Sequence, residues 1–191
     1  MIWEFAALTL TMHQASAPLF RQGLTSLAAI LAKVADQSAA RSVAPATLLA
    51  DRLAADMFPL VRQVQLSCDF AKNTMARLAD REPPRFEDVE GTLPELQERI
   101  ARTLAFVDAV PAAAVDGSEG RTITLAVAGN SLTFTGQDYL LHFALPNFFF
   151  HVTTAYAILR KNGFEIGKRL DAANTDDRHR FGHRRQVRRG E

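Results

Sequence analysis

Asn147, His151 and Thr154 stand four and three residues apart, so a helix would align an amide, an imidazole and a hydroxyl on one stripe. An imidazole can ligate a metal, move a proton or hold a hydrogen bond, and polar neighbours on its stripe can orient a ligand. Asp56 and Gln63 lie seven residues apart, nearly eclipsed after two helical turns, where they can reach into a bundle or simply pair at its boundary. Together with Tyr156 these residues define the expected pocket: His151, Asn147, Thr154, Tyr156, Asp56 and Gln63.

Catalytic zinc commonly takes three protein ligands and an open position, and the order His151-Val-Thr-Thr-Ala155 has alanine where a second helical ligand would fall. Asp56 or His13 could join His151 only through the tertiary fold, so a buried, hydrogen-bonded histidine is expected and no cofactor is. The alternative is a divalent zinc or nickel ion held by His151, Asp56 and His13. His142 follows Asp138 by four residues, which lets the two pair on the helix, and lies too far around from His151 to share a metal with it. No GxSxG elbow, P-loop or Rossmann glycine pattern occurs, which argues against nucleotide chemistry.

The element that must carry the stripe is a long helix over 135–163, started by Thr135-Gly-Gln-Asp138 and free of Asp, Glu, Lys and Arg from Tyr139 to Leu159. Such a length matches a membrane span, but two histidines, an asparagine, a proline and two threonines make it too polar, so burial among three neighbouring helices is expected instead. Three further helices are predicted. The first covers 12–38 on the stripe Phe20, Leu24, Leu27, Leu31 and Val34, with His13 at its start. The second covers 46–79, carrying Leu53, Met57, Leu60, Val64, Cys68, Ala71, Met75 and Leu78 on one side. The third runs from the capping box Thr92-Leu-Pro-Glu95 to about Asp108. Pro18, Pro59 and Pro146 fall inside these helices and should kink each one.

Between the second and third helices, the twelve residues Asp80–Gly91 can span roughly 40 Å, enough to cross a bundle and let the third helix run parallel to the second. Between the third and fourth, Thr/apolar alternation on both sides of Ala128-Gly-Asn-Ser predicts a β-hairpin. An isolated hairpin is marginal in water, so this one must pack on the helices or a partner.

At 191 residues a single domain is expected, with 1–11 as an N-terminal extension, 12–171 as the helical domain and 172–191 as a basic tail. Met12 is a second candidate start. The last 24 residues hold eight Lys+Arg and four acidic residues, leaving a body of 14 basic and 17 acidic. Basic character is therefore a property of the tail, read as solvated and not as a specific nucleic-acid surface. A single cysteine, Cys68, rules out an internal disulfide framework, and with no secretory pattern at the N-terminus a cytoplasmic setting is expected.

The segments Asp56-Met-Phe-Pro-Leu-Val-Arg-Gln-Val-Gln and Phe134-Thr-Gly-Gln-Asp-Tyr-Leu-Leu-His-Phe-Ala-Leu-Pro-Asn-Phe-Phe-Phe-His-Val-Thr-Thr-Ala resemble a bacterial branch, of unknown function, of the DinB-like (YfiT-like) metalloenzyme superfamily. That resemblance implies an all-α four-helix bundle with a long crossover between the second and third helices, and frequent homodimers. In the superfamily's metal-binding members it implies three histidines, one from the second helix and an HxxxH pair from the fourth. Here His151 matches the first of that pair, Ala155 stands at the second, and Asp56 or Gln63 occupies the neighbourhood of the second-helix histidine. The expectation is a dimeric bundle that binds a small molecule at the stripe. A divergent metal-dependent transferase or hydrolase, and a dimeric interaction module, are the alternatives.

Overall fold

The computed structural model describes residues 10–41, 44–127 and 129–167. Residues 1–9 of the expected extension and the whole of the expected tail lie outside them. The elements are α1 (Ala17–Arg41), α2 (Pro45–Ala50), α3 (Leu60–Leu78), α4 (Leu93–Ala109), α5 (Ala112–Val115), β1 (Thr122–Val127), β2 (Asn130–Thr135), α6 (Gly136–Asp138), a π-helical turn (Tyr139–Ala144) and α7 (Leu145–Lys161).

The expected second helix is two helices. Asp51 leaves α2 in an extended conformation, and Pro59 is extended too, so residues 51–59 form an irregular loop before α3. Proline disfavours helix at the residue before it and has no N–H to give, which makes Pro59 a helix boundary where a kink was predicted. Leu60 closes the loop by donating its N–H to the Asp51 carbonyl at 2.8 Å. Lys161 and Asn162, at the end of α7, both donate to the Asp51 carboxylate, and those hydrogen bonds hold its pKa below the ordinary value. Leu53 and Asp56 are consequently exposed, whereas Leu60, Val64, Cys68, Ala71, Met75 and Leu78 are buried as expected.

Pro18 likewise sits in the first turn of α1 and kinks nothing, because the helix starts at Ala17 and not at Met12. Near Pro146 the chain departs from α-geometry in another way. The π turn precedes the proline, with Leu145 donating its N–H to Leu140, five residues back. A π turn admits one extra residue and is a usual local solution where the α ladder is interrupted. α4 opens with the predicted capping box: Thr92 Oγ1 accepts from the Glu95 N–H, and the Glu95 carboxylate accepts from the Thr92 N–H. The hairpin pairs Thr122 with Thr135 through Val127 with Asn130, so Asn130, expected in a Gly-Asn turn, is instead the first residue of β2, and Gly129 before it has φ +80°. Gly136 joins the hairpin to the helix where a Cβ would overlap the Ser118 carbonyl oxygen.

α1 runs antiparallel to α4, since Arg21 near its start meets Asp108 near the end of α4. It runs parallel to α7, as Phe20 packs on Phe148 and Arg41 reaches Asn162 and Gly163. α3 runs antiparallel to α7, because Gln63 meets His151 and Thr74 meets Tyr139. α3 and α4 are parallel, with Asp69 on Arg99, as the twelve-residue connection allows. These four helices share one apolar cluster, in which Phe20, Leu24, Leu27, Leu31 and Val34 of α1 are fully buried.

The connection is fastened by a charged network. Arg99 is 1% exposed, and its guanidinium donates to Asp69 and to Glu90 at 2.9 Å each and pairs with Asp88 at 2.9 Å. Arg62 pairs with the same Asp88. Phe86 lies under the cations of Lys72, Arg99 and Arg102. Burial works against ionisation of Glu90, yet hydrogen bonds from Gln65 and Arg99 hold its pKa below the ordinary carboxylate value.

The fourth helical rod is not surrounded. Leu141, Phe149 and Phe150 are 41%, 40% and 54% exposed, so its uncharged sequence reflects an apolar outer face as well as a buried inner one. Among the described residues no helix is long and apolar enough to cross a membrane.

Candidate functional site

α7 places His151 against α3, where Gln63 is buried three residues into the helix. His151 Nδ1 lies 2.7 Å from Gln63 Oε1, and Gln63 Nε2 donates to the Phe58 carbonyl at 3.0 Å. That geometry fixes the imidazole tautomer. A backbone carbonyl only accepts, so the Gln63 amide nitrogen must face Phe58 and its oxygen must face the ring, which makes His151 Nδ1 the protonated nitrogen. The lone pair is left on Nε2. Phe70 stacks on the ring with centroids 5.5 Å apart, and Phe150 meets it edge-on at 5.3 Å. Burial, with the Arg62 charge behind it, pushes the His151 pKa down to about 4, so the ring is neutral at pH 7.

The other stripe residues are engaged elsewhere. Asn147 donates to the Phe143 carbonyl at 2.7 Å and Thr154 to the Phe150 carbonyl at 2.7 Å, each one turn back on its own helix. Tyr156 donates to the Ile166 carbonyl. Asp56 is exposed on the 51–59 loop, and His13 sits before α1, where its N–H donates to Asp116. Of the six expected pocket residues, a direct bond joins only His151 and Gln63. His142 and Asp138 do pair, at 3.3 Å, on the exposed side.

A metal needs converging donors, and the shell around His151 offers phenylalanine rings and an amide oxygen already bonded to the imidazole. Ala155, one turn on, is buried and has no donor atom. Among the described residues no three His, Cys, Asp or Glu side chains gather where a metal ion could be held. The residues at this position do not fit a resident divalent cation. Cys68 is no substitute, since burial raises its thiol pKa to about 12.

Beside the His151 pair runs an open groove of about 410 Å³, lined by Leu53, Phe149, Phe150, Thr153, Thr154 and Ala157. No charged side chain lines it, and Phe150 forms its wall on one side while touching His151 on the other. The 51–59 loop supplies Leu53, so the break that removed Asp56 from a bundle-facing position is what builds this groove.

Comparison with known proteins now bears on the fold. A family model, described as a domain of unknown function, DUF1993, matches residues 12–170. The chain belongs to the DUF1993 family. A crystal structure of a DinB family member from Shewanella denitrificans is 38% identical, with a TM-score of 0.74, covering 83% of this chain and 89% of that one. DUF1993 in this chain is thus a DinB-like family of unknown function, mostly helical with one small antiparallel sheet. No curated protein matches the chain.

Sequence reasoning passed over two buried polar centres of this DUF1993 chain. One is Arg99; the other is Tyr139, whose hydroxyl lies 3.3 Å from Thr74 Oγ1 and accepts from Arg77 at 2.9 Å. Arg99 had a signal, since it and Thr103 fall on the same side as Leu96, Ile100 and Val107, where a charged residue is out of place unless it is paired.

Proposed function

We propose that the protein is a DinB-like four-helix bundle that binds an uncharged, largely apolar small molecule in the groove beside His151. The observation that carries this reading is the groove itself: about 410 Å³ of space walled by aromatic and aliphatic side chains, with two threonines and no charge. Ligand sites commonly have such volumes and such linings, with a few polar groups to fix orientation. Thr153 offers an exposed hydroxyl at the rim. The neutral His151 behind Phe150 adds no cation, so a carboxylate or phosphate would enter without a counter-charge and lose its hydration. The ring of helix contacts α1–α4–α3–α7, with their directions, supports the bundle arrangement. The single buried Cys68 supports a reducing, cytoplasmic setting.

The neutral fluorescent probe N-phenyl-1-naphthylamine is expected to bind saturably, and Phe150→Asp to weaken it at least about tenfold by placing a charge in the wall. Probe binding that fails to saturate, or that Phe150→Asp leaves unchanged, would contradict the reading.

A further inference from the structure

Where the end of α3 meets β1 there is a second hollow, of about 300 Å³, lined by Arg77, Arg81 and Arg121. Along α3, Gln63 and Arg77 stand about 21 Å apart, so this hollow is separate from the groove beside His151. We infer that it binds a small phosphate monoester bearing hydroxyl groups, with the three guanidiniums on the phosphate oxygens and with Asp80 and Glu82, which line the same hollow, accepting from the ligand's hydroxyls.

The ion pairs of the fold do not account for these arginines. Arg21, Arg62 and Arg99 each pair with a carboxylate, whereas among the described residues Arg77, Arg81 and Arg121 pair with none. Nor does the negative end of α3, which attracts cations, require all three. Its last four carbonyls are already met: Met75 and Ala76 accept from the Ala79 N–H, Ala76 also from the Arg81 N–H, Arg77 from the Asp80 N–H, and Leu78 from the Arg121 guanidinium. The side chains of Arg77 and Arg81 are therefore surplus to the cap. Arg77 is instead fixed from behind, because its Nη1 donates at 2.9 Å to the hydroxyl of the fully buried Tyr139 and its guanidinium carbon lies 5.8 Å from the centre of that ring. Arg77 and Arg121 are both half-buried, and each spends a donor on a neutral acceptor that leaves its charge uncompensated. A guanidinium carries five N–H donors in a rigid fork, so each keeps donors for a ligand in the geometry that suits phosphate oxygens. Three such cations around one hollow repel one another, and an anion placed between them relieves that repulsion.

The rest of the lining sets the class of anion. Three cations and two carboxylates leave a balance of +1, which suits a single phosphate better than a chain of them. Asp80 and Glu82 only accept hydrogen bonds, so they oppose a bare inorganic ion and favour a ligand that brings hydroxyls. Thr122 and Thr124, exposed two residues apart on one face of β1, add hydroxyls at the opposite wall.

Isothermal titration calorimetry on the full chain at about pH 7.5, with sn-glycerol 3-phosphate as the probe, is expected to show one saturable site with a Kd below about 1 mM. Arg81→Glu should weaken that binding at least about tenfold, and Arg77→Gln should do the same. The Arg81 side chain is exposed, so its replacement leaves the helical circular dichroism unchanged, and it decides the question alone should Arg77→Gln fail to fold. Inorganic phosphate is expected to bind at least about fivefold more weakly than the ester, and glycerol not to bind. No saturable heat up to about 10 mM ester, or a Kd that Arg81→Glu leaves unmoved, overturns the site. Inorganic phosphate binding as tightly as the ester overturns the ester assignment and the role given to Asp80 and Glu82. Binding of N-phenyl-1-naphthylamine should be the same in wild type and Arg81→Glu, so failure of this hollow and failure of the groove are told apart.

Discussion

Replacing Arg99 with alanine is expected to cost about 3 to 5 kcal/mol of folding stability, the penalty for removing one member of a buried ion-pair group. Its guanidinium serves two purposes in one place. It neutralises Asp69 on α3 and Glu90 and Asp88 on the connection, and it donates to the Glu87 carbonyl. Without it, Glu90, whose carboxylate is only 9% exposed, is left partly dehydrated beside other acids. The connection would also lose the anchor that lets α3 and α4 run parallel. Arg99→Met separates the contributions, since it keeps the apolar stem packed near Phe86 but removes the charge. It should be nearly as damaging as alanine, and Arg99→Lys intermediate, because an ammonium cannot fork between carboxylates as a guanidinium does. Urea unfolding followed by circular dichroism measures all three.

The second large effect is a dependence of stability on acidity. His151 titrates near 4 in the folded chain and near 6.5 when unfolded, so the unfolded state binds the extra proton between those values. Stability is therefore complete above about pH 6.5, falls as the pH drops towards 4, and loses about 2 to 3 kcal/mol from this group across that window. The ring is 7% exposed, so solvent screening takes little from this figure. Glu90, whose pKa is lowered in the fold, contributes in the same direction only at more acidic pH, which leaves pH 5 to 6.5 as the clean interval. His151→Leu should flatten the slope there whatever it does to absolute stability. Chemical unfolding at half-unit pH steps would show whether it does.

Much of the fold was legible because its signals are local. The α4 capping box, the threonine alternation of the hairpin and the apolar stripe of α1 each lie within a few residues of what they specify. The reach of Asp80–Gly91 was legible too, since chain length alone bounds it, and the parallel α3 and α4 follow. The break at 51–59 was hidden by a coincidence of spacing. Leu53, Met57 and Leu60 continue the periodicity of α3, although only Leu60 is buried, and Pro59 read equally well as a kink or as a boundary. That break moved Asp56 to an exposed loop. Of the candidate site, His151 and Gln63 were legible as buried polar residues, but their bond is tertiary, and so is the contact of Phe150 with the ring. Spacing aligned Asn147 and Thr154 with His151 and could not reveal that each would satisfy itself on its own helix. The groove was invisible for the same reason, since one wall comes from a loop that periodicity had assigned to a helix.

The central claim is that His151 is a neutral imidazole held through Nδ1–H by Gln63, beside a groove without charge. Nitrogen-edited NMR of the histidine rings, titrated from pH 8 to pH 4, tests it most directly. His151 is expected to show protonated Nδ1 and unprotonated Nε2 throughout the neutral range, and to begin gaining its second proton only as the pH approaches 4. An Nε2-protonated ring, or a midpoint at the ordinary 6.5, would contradict the account.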